Sequence, residues 1–99
     1  MLPDSYHKAV SAKRRAEINA ALTPDSLALF LELARDAANW SGTPPTWVTK
    51  EQRGNLTHLK KAGLLSTFED RGDSFAVFTE AGVALAAEHG VDLSWIDFN

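Results

Sequence analysis

The chain has 99 residues, 44% of them hydrophobic and 23% charged, enough for one domain with a modest core and too apolar for a disordered chain. It contains no cysteine, which excludes disulfides, thiolate metal sites and thiol nucleophiles. Its formal charge of −3 excludes a uniformly basic nucleic-acid binder, so any such role rests on how charge is distributed.

Lys8, Lys13, Arg14 and Arg15 make the first fifth basic, and Lys50, Arg53, Lys60 and Lys61, with His58 beside them, make a second basic segment. Acids gather at Glu69, Asp70 and Asp73 and again at Glu88, Asp92 and Asp97. The N-terminus lacks the apolar run of a secretory signal, and no stretch is long and apolar enough for a membrane span. A cytoplasmic protein with no membrane contact is expected. Residues 1–99 read as a single domain, with 1–22 as an N-terminal helical extension and 91–99 as an apolar C-terminal tail.

Ala9, Ala12, Ala16 and Ala20 have roughly helical spacing, which predicts a first helix over 6–21. Lys13-Arg14-Arg15 on it reads either as a solvated face or as a contact for phosphates or an acidic partner. Thr23-Pro24-Asp25 is a helix start: a capping threonine, a proline at the first helical position and an acid in the first turn. The helix it opens is expected to reach Trp40. Leu27, Phe30, Leu31, Ala34 and Ala38 form its inward face, widened by Leu33 and Ala37.

The segment SGTPPTWV ends that helix and leaves room for at most a turn or a very short helix before the next. Trp40 and Trp47 flank it and are expected to pack on each other or on the core. Thr49 and Gln52 have capping-box spacing and predict a helix over 50–62, with Leu56 and Leu59 inward and Gly63 as its left-handed stop. Gly54 weakens that helix. It either admits another helix or a DNA backbone closely or is merely tolerated. Residues 64–68 and 74–78 read as two strands of a hairpin about a polar turn, 69–73. Thr79 caps a last helix over 80–89, which Gly90 closes. In the tail, Leu93, Trp95, Ile96 and Phe98 are expected to cover the core or to meet a second subunit.

His7, His58 and His89 are far apart in sequence and share no metal-binding spacing; there is no glycine-rich phosphate loop and no nucleophile with its base. No enzyme, cofactor or metal is expected.

The order helix, glycine stop, strand, polar turn, strand, capped helix over 49–90 resembles the second half of winged helix-turn-helix domains, particularly the MarR and PadR-like group. In that group a recognition helix ends in a leucine, a lysine-rich stretch and Gly-Leu. A β-wing follows, then a Leu/Phe-Thr-x-x-Gly helix start. The matching residues are Leu59-Lys60-Lys61-Ala62-Gly63-Leu64 and Phe78-Thr79-Glu80-Ala81-Gly82. The resemblance implies an α+β fold, a mainly helical winged helix-turn-helix whose C-terminal half carries a β-hairpin wing followed by a helix. SGTPPTWV takes the place of the scaffold helix of archetypal members.

The resemblance further implies a transcriptional regulator that binds double-stranded DNA, with helix 50–62 in the major groove and the 69–73 wing on the backbone or minor groove. Lys50, Gln52, Arg53, Asn55, Thr57, His58, Lys60 and Lys61 are its candidate DNA contacts, joined by Arg71 at the wing. Gln52, Arg53 and Asn55 suit base reading, and the lysines suit phosphates. Gln52 has the competing task of the cap, and Lys60 and Lys61 suit a helix C-terminus whether or not DNA is bound. A homodimer through the terminal segments would present two readers. The overall negative charge, the acidic turn and the hydrophobic C-terminus support a second reading, a non-catalytic protein-interaction or assembly module on the same scaffold.

Overall fold

The computed structural model describes residues 22–96. The helix expected over 6–21, with Lys13-Arg14-Arg15, lies outside them, as does Phe98. The described residues form an α+β arrangement of three α-helices and one antiparallel hairpin. None of the helices is long and apolar enough to cross a membrane.

The first helix, α1, is Pro24–Asp36. The Thr23 hydroxyl oxygen accepts the Ser26 amide at 3.1 Å, so the cap read from Thr23-Pro24-Asp25 is formed. The helical path continues to Trp40, but residues Ala37–Trp40 tighten into a 3-10 turn. Its buried face is rotated from the one expected. Ser26, Leu29, Phe30, Leu33, Ala34 and Ala37 are buried, Leu27 and Leu31 only partly so, and Ala38 is exposed. Apolar residues occupy enough of α1 that either flank could have been its centre. A buried serine fixes the phase, and hydrophobic periodicity does not count it.

Ser41 and Gly42 adopt left-handed conformations (φ 55° and 94°) and turn the chain back. SGTPPTWV thus holds a turn at its start and no helix, and residues 43–48 follow without regular structure apart from one bridge. Pro45 forms an isolated antiparallel bridge with Phe75. The bridging bonds run from the Thr46 amide to the Ser74 carbonyl and from the Ala76 amide to the Pro44 carbonyl, each 2.8 Å. Pro45 therefore sits at a non-hydrogen-bonded pair, where its missing N–H is not needed.

The second helix, α2, is Arg53–Lys61, shorter at both ends than the expected 50–62. Lys50 to Gln52 form a tight turn instead, with the Gln52 amide bonded to the Thr49 carbonyl at 3.0 Å. The capping box is present around this turn. The Thr49 amide donates to Gln52 Oε1 at 3.2 Å, and the Gln52 amide donates to Thr49 Oγ1 at 3.3 Å. Gly63, at φ 76°, ends the helical path in the left-handed conformation expected of it.

Strands β1 (Leu65–Asp70) and β2 (Asp73–Phe78) pair from Leu65 with Phe78 to Asp70 with Asp73. The turn is Arg71-Gly72 alone, both residues at positive φ (54° and 85°), which is type I′ geometry. Glu69, Asp70 and Asp73, expected in a five-residue turn, therefore extend the strands. Polar composition marks the end of burial, whereas turn geometry needs only two residues. By alternation Leu65, Thr67, Ala76 and Phe78 share the core side; Ser66, Phe68, Asp70, Asp73, Phe75 and Val77 share the outer side.

The third helix, α3, is Glu80–Glu88. Thr79 ties three elements together. Its hydroxyl oxygen accepts the Gly82 amide at 3.1 Å, its hydroxyl donates to the Gly63 carbonyl at 2.6 Å, and its amide donates to the Leu64 carbonyl at 3.1 Å. Gly82 lies against the chain at this point, where a Cβ would collide with the Leu64 carbonyl oxygen.

The core joins Leu29, Phe30, Leu33 and Ala34 of α1 to Leu59, Leu64, Leu65, Ala76, Phe78, Leu85, Ala86 and Leu93. Phe30 meets Phe78 edge to face at 5.8 Å, and burying each ring contributes about 1.5–3 kcal/mol. Leu93 shows that the tail covers part of the core, with Ile96 packed beside it and Trp95 exposed. Trp95 is oriented by its indole N–H, which donates to the Asp92 carbonyl at 3.0 Å. The Asp92 carboxylate caps the same turn, and hydrogen bonds from the Ser94 hydroxyl and amide hold its pKa below the ordinary value.

Candidate nucleic-acid interface

The α2 sequence RGNLTHLKK contains no acid. At 100° per residue, Arg53, Gly54, Thr57, Lys60 and Lys61 fall within an arc of about 120°, and all five are exposed. Lys50, in the turn before the helix, is exposed as well. The inward side is set by Leu59, which is fully buried, and by Leu56, which is partly buried against the core. Burial of those leucines thus aims a polar face carrying Arg53, Thr57, Lys60 and Lys61 at solvent. Glu51, in the preceding turn, is the acid nearest this face in sequence.

Gly54 lies within that face. It has ordinary helical φ, and a Cβ built on it would meet nothing within 4 Å. The fold does not require glycine there, although glycine in a helix interior costs about 1 kcal/mol relative to alanine.

The other candidates from the sequence point elsewhere. Gln52 is partly buried and its side-chain oxygen accepts the Thr49 amide, so it is engaged in the cap. Asn55 and His58 are also partly buried. Both meet Ser26 on the first turn of α1, which lies 3.2 Å from Asn55 Oδ1 and 3.1 Å from His58 Nδ1. The Ser26 hydroxyl oxygen also accepts from the Thr23 hydroxyl at 3.0 Å. It has one proton to donate, shared between the two α2 acceptors, unless His58 carries its own proton on Nδ1 and donates back. Thr57 donates to the Arg53 carbonyl at 3.0 Å. Arg71 is exposed at the hairpin tip, between the exposed carboxylates of Asp70 and Asp73.

Of the candidates, then, Arg53, Thr57, Lys60 and Lys61 share one exposed face of α2, with Lys50 exposed in the turn before it. Gln52, Asn55 and His58 hold α2 in place, and Arg71 stands apart at the far end of the hairpin. Sequence periodicity identified the inward leucines of α2. It missed the bonds from Asn55 and His58 because they depend on a serine 29 and 32 residues away.

A second surface was only half visible beforehand. Trp40 and Trp47 do pack, edge to face at 5.7 Å. Trp40 also meets Phe75 at 6.4 Å, and Phe75 stacks on its cross-strand partner Phe68 at 5.5 Å. Among the described residues no group of three or more histidines and carboxylates could hold a metal ion. No family model, no curated protein and no solved structure matches this chain.

Proposed function

We propose that the protein is a winged-helix DNA-binding protein, a transcriptional regulator in which α2 is the DNA-contacting helix. The observation that carries this reading is the acid-free exposed face of α2, where Arg53, Lys60 and Lys61 flank a glycine that the fold does not need, with Lys50 exposed in the preceding turn. The order of α2, the Gly63 stop, the hairpin and α3 supports the winged-helix assignment. An α-helix fits the major groove, and a missing side chain in the contacting face lets a backbone approach more closely.

Affinity in this reading comes mainly from phosphate contacts by the lysines, with Arg53 as the exposed side chain able to address a guanine edge through two hydrogen bonds. Gln52, Asn55 and His58 act as supports for the helix. The acids flanking Arg71 keep the hairpin tip from close phosphate contact as a whole, so α2 leads the interaction.

The test is binding of the full chain to random duplex DNA across a salt series. On random DNA Arg53 meets phosphate as the lysines do, and four cations on phosphate predict that log K falls against log salt with a slope of about −3 to −4. Absence of binding by folded protein at low salt would overturn the reading.

A further inference from the structure

The aromatic contacts continue into one apolar surface. Trp47 is 71% exposed, Trp95 48%, Phe68 42%, Trp40 38% and Val77 37%. The ring contacts run from Trp47 through Trp40 and Phe75 to Phe68. Val77 lies on the same outer side of the hairpin as Phe68 and Phe75. It shares a shallow cavity with Trp95, Gly42 and Ile96. The charges on this side of the hairpin, Asp70 and Asp73, form the last pair before the turn.

We propose that this outer aromatic surface is where a second copy of the chain docks to form a symmetric dimer. The first argument is area. With about 150–250 Å² presented by each aromatic side chain, the exposures leave on the order of 500 Å² of apolar surface per copy. Two copies meeting there remove about 1,000 Å² from these side chains alone, and a polar rim brings the total into the range of a specific interface, upward of about 1,200 Å². The second is composition. Aromatic residues dominate and charge is absent from the centre, which suits an interface between identical subunits better than a transient one. The third is placement of charge. With the two hairpins antiparallel about a two-fold axis, each tip lies over the base of the other. Asp70 and Asp73 of the two copies are then apart rather than opposed.

The dimer stands on the aromatic surface and not on the DNA reading, so each can fail without the other. The test is sedimentation equilibrium of the full chain without DNA. The expected species has twice the 10.8 kDa chain mass, persists at high salt and reverts to monomer in the Phe68→Glu variant. Because that variant could misfold, cysteine cross-linking provides a second readout in a chain that has no cysteine of its own. A mixture of Ser66→Cys and Asp70→Cys chains, whose positions face each other when each tip lies over the other's base, is expected to oxidise to a covalent mixed dimer, and Glu51→Cys, beside α2, is not expected to cross-link. A monomer at micromolar concentration overturns the proposal. So does a dimer indifferent to Phe68→Glu, or one that cross-links as readily through Glu51→Cys as through the mixed pair.

Discussion

The hydroxyl of Ser26 lies 3.1 Å from Nδ1 of His58, 32 residues further along the chain. Ser26 is 1% exposed, so a buried polar group at the start of α1 sets the rotation of α2 about its own axis. Replacing Ser26 with alanine removes the shared partner of Asn55 and His58, and the Thr23 hydroxyl loses its acceptor. The expected loss is about 1–3 kcal/mol of stability, read from the midpoint of urea unfolding at unchanged slope.

Asn55→Ala is expected to act through the same contact. Its effect falls on the unfolding midpoint, by about 1 kcal/mol, and its effect on sequence preference in a DNA-binding competition is small. A large loss of sequence preference with unchanged stability would show that Asn55 reads bases after all.

Gly54→Ala separates what the fold wants from what a ligand wants. The new methyl group meets open space, so stability is expected to rise by about 1 kcal/mol from helix propensity. DNA affinity is expected to fall, because the methyl sits in the contacting face. Thermal unfolding and a binding titration measured on one preparation check both signs.

Gly82→Ala is expected to do the opposite to stability. Its Cβ would strike the Leu64 backbone, which cannot swing away as a side chain can. The cost is expected to reach about 3 kcal/mol or more, enough to lower the yield of folded protein, and circular dichroism during heating reads it directly.

The combined variant Arg53→Ala, Lys60→Ala, Lys61→Ala removes three exposed cations from one face without touching the core. Folding is expected to persist. DNA binding is expected to fall to background, or its salt slope to shrink by about 3.

How far the chain could be read in advance differed by element. The helix caps at Thr23 and Thr79 and the stops at Gly63 and Gly90 were legible, because each is a local device of a few residues whose physics does not depend on the rest of the fold; the Thr49–Gln52 box formed around a turn and left the helix to start at Arg53. The inward face of α1 was not, because Ser26 is buried by a hydrogen-bond network that only tertiary structure assembles. The hairpin turn was overestimated because Glu69, Asp70 and Asp73 look like loop residues, although a type I′ turn leaves them in strands. For the candidate interface, the basic residues were plain from composition, but dividing them from the supporting Gln52, Asn55 and His58 required the position of α1. The outward aromatic run needed the pairing of Phe68 with Phe75, which follows only from the two-residue length of the turn between them.

The bridge at Pro45 has a consequence for how the protein behaves when crowded. A sheet grows by adding a strand to an exposed edge, and two-stranded sheets have two such edges. Here one side of β2 is occupied by a chain segment with proline at positions 44 and 45, and proline cannot donate the ladder bonds an incoming strand would need. Among the described residues the open edge is that of β1, whose last two residues are Glu69 and Asp70, and stacking like strands there would bring carboxylates together. The hairpin is thereby protected against open-ended fibril growth while it still exposes the broad faces of its aromatic rings.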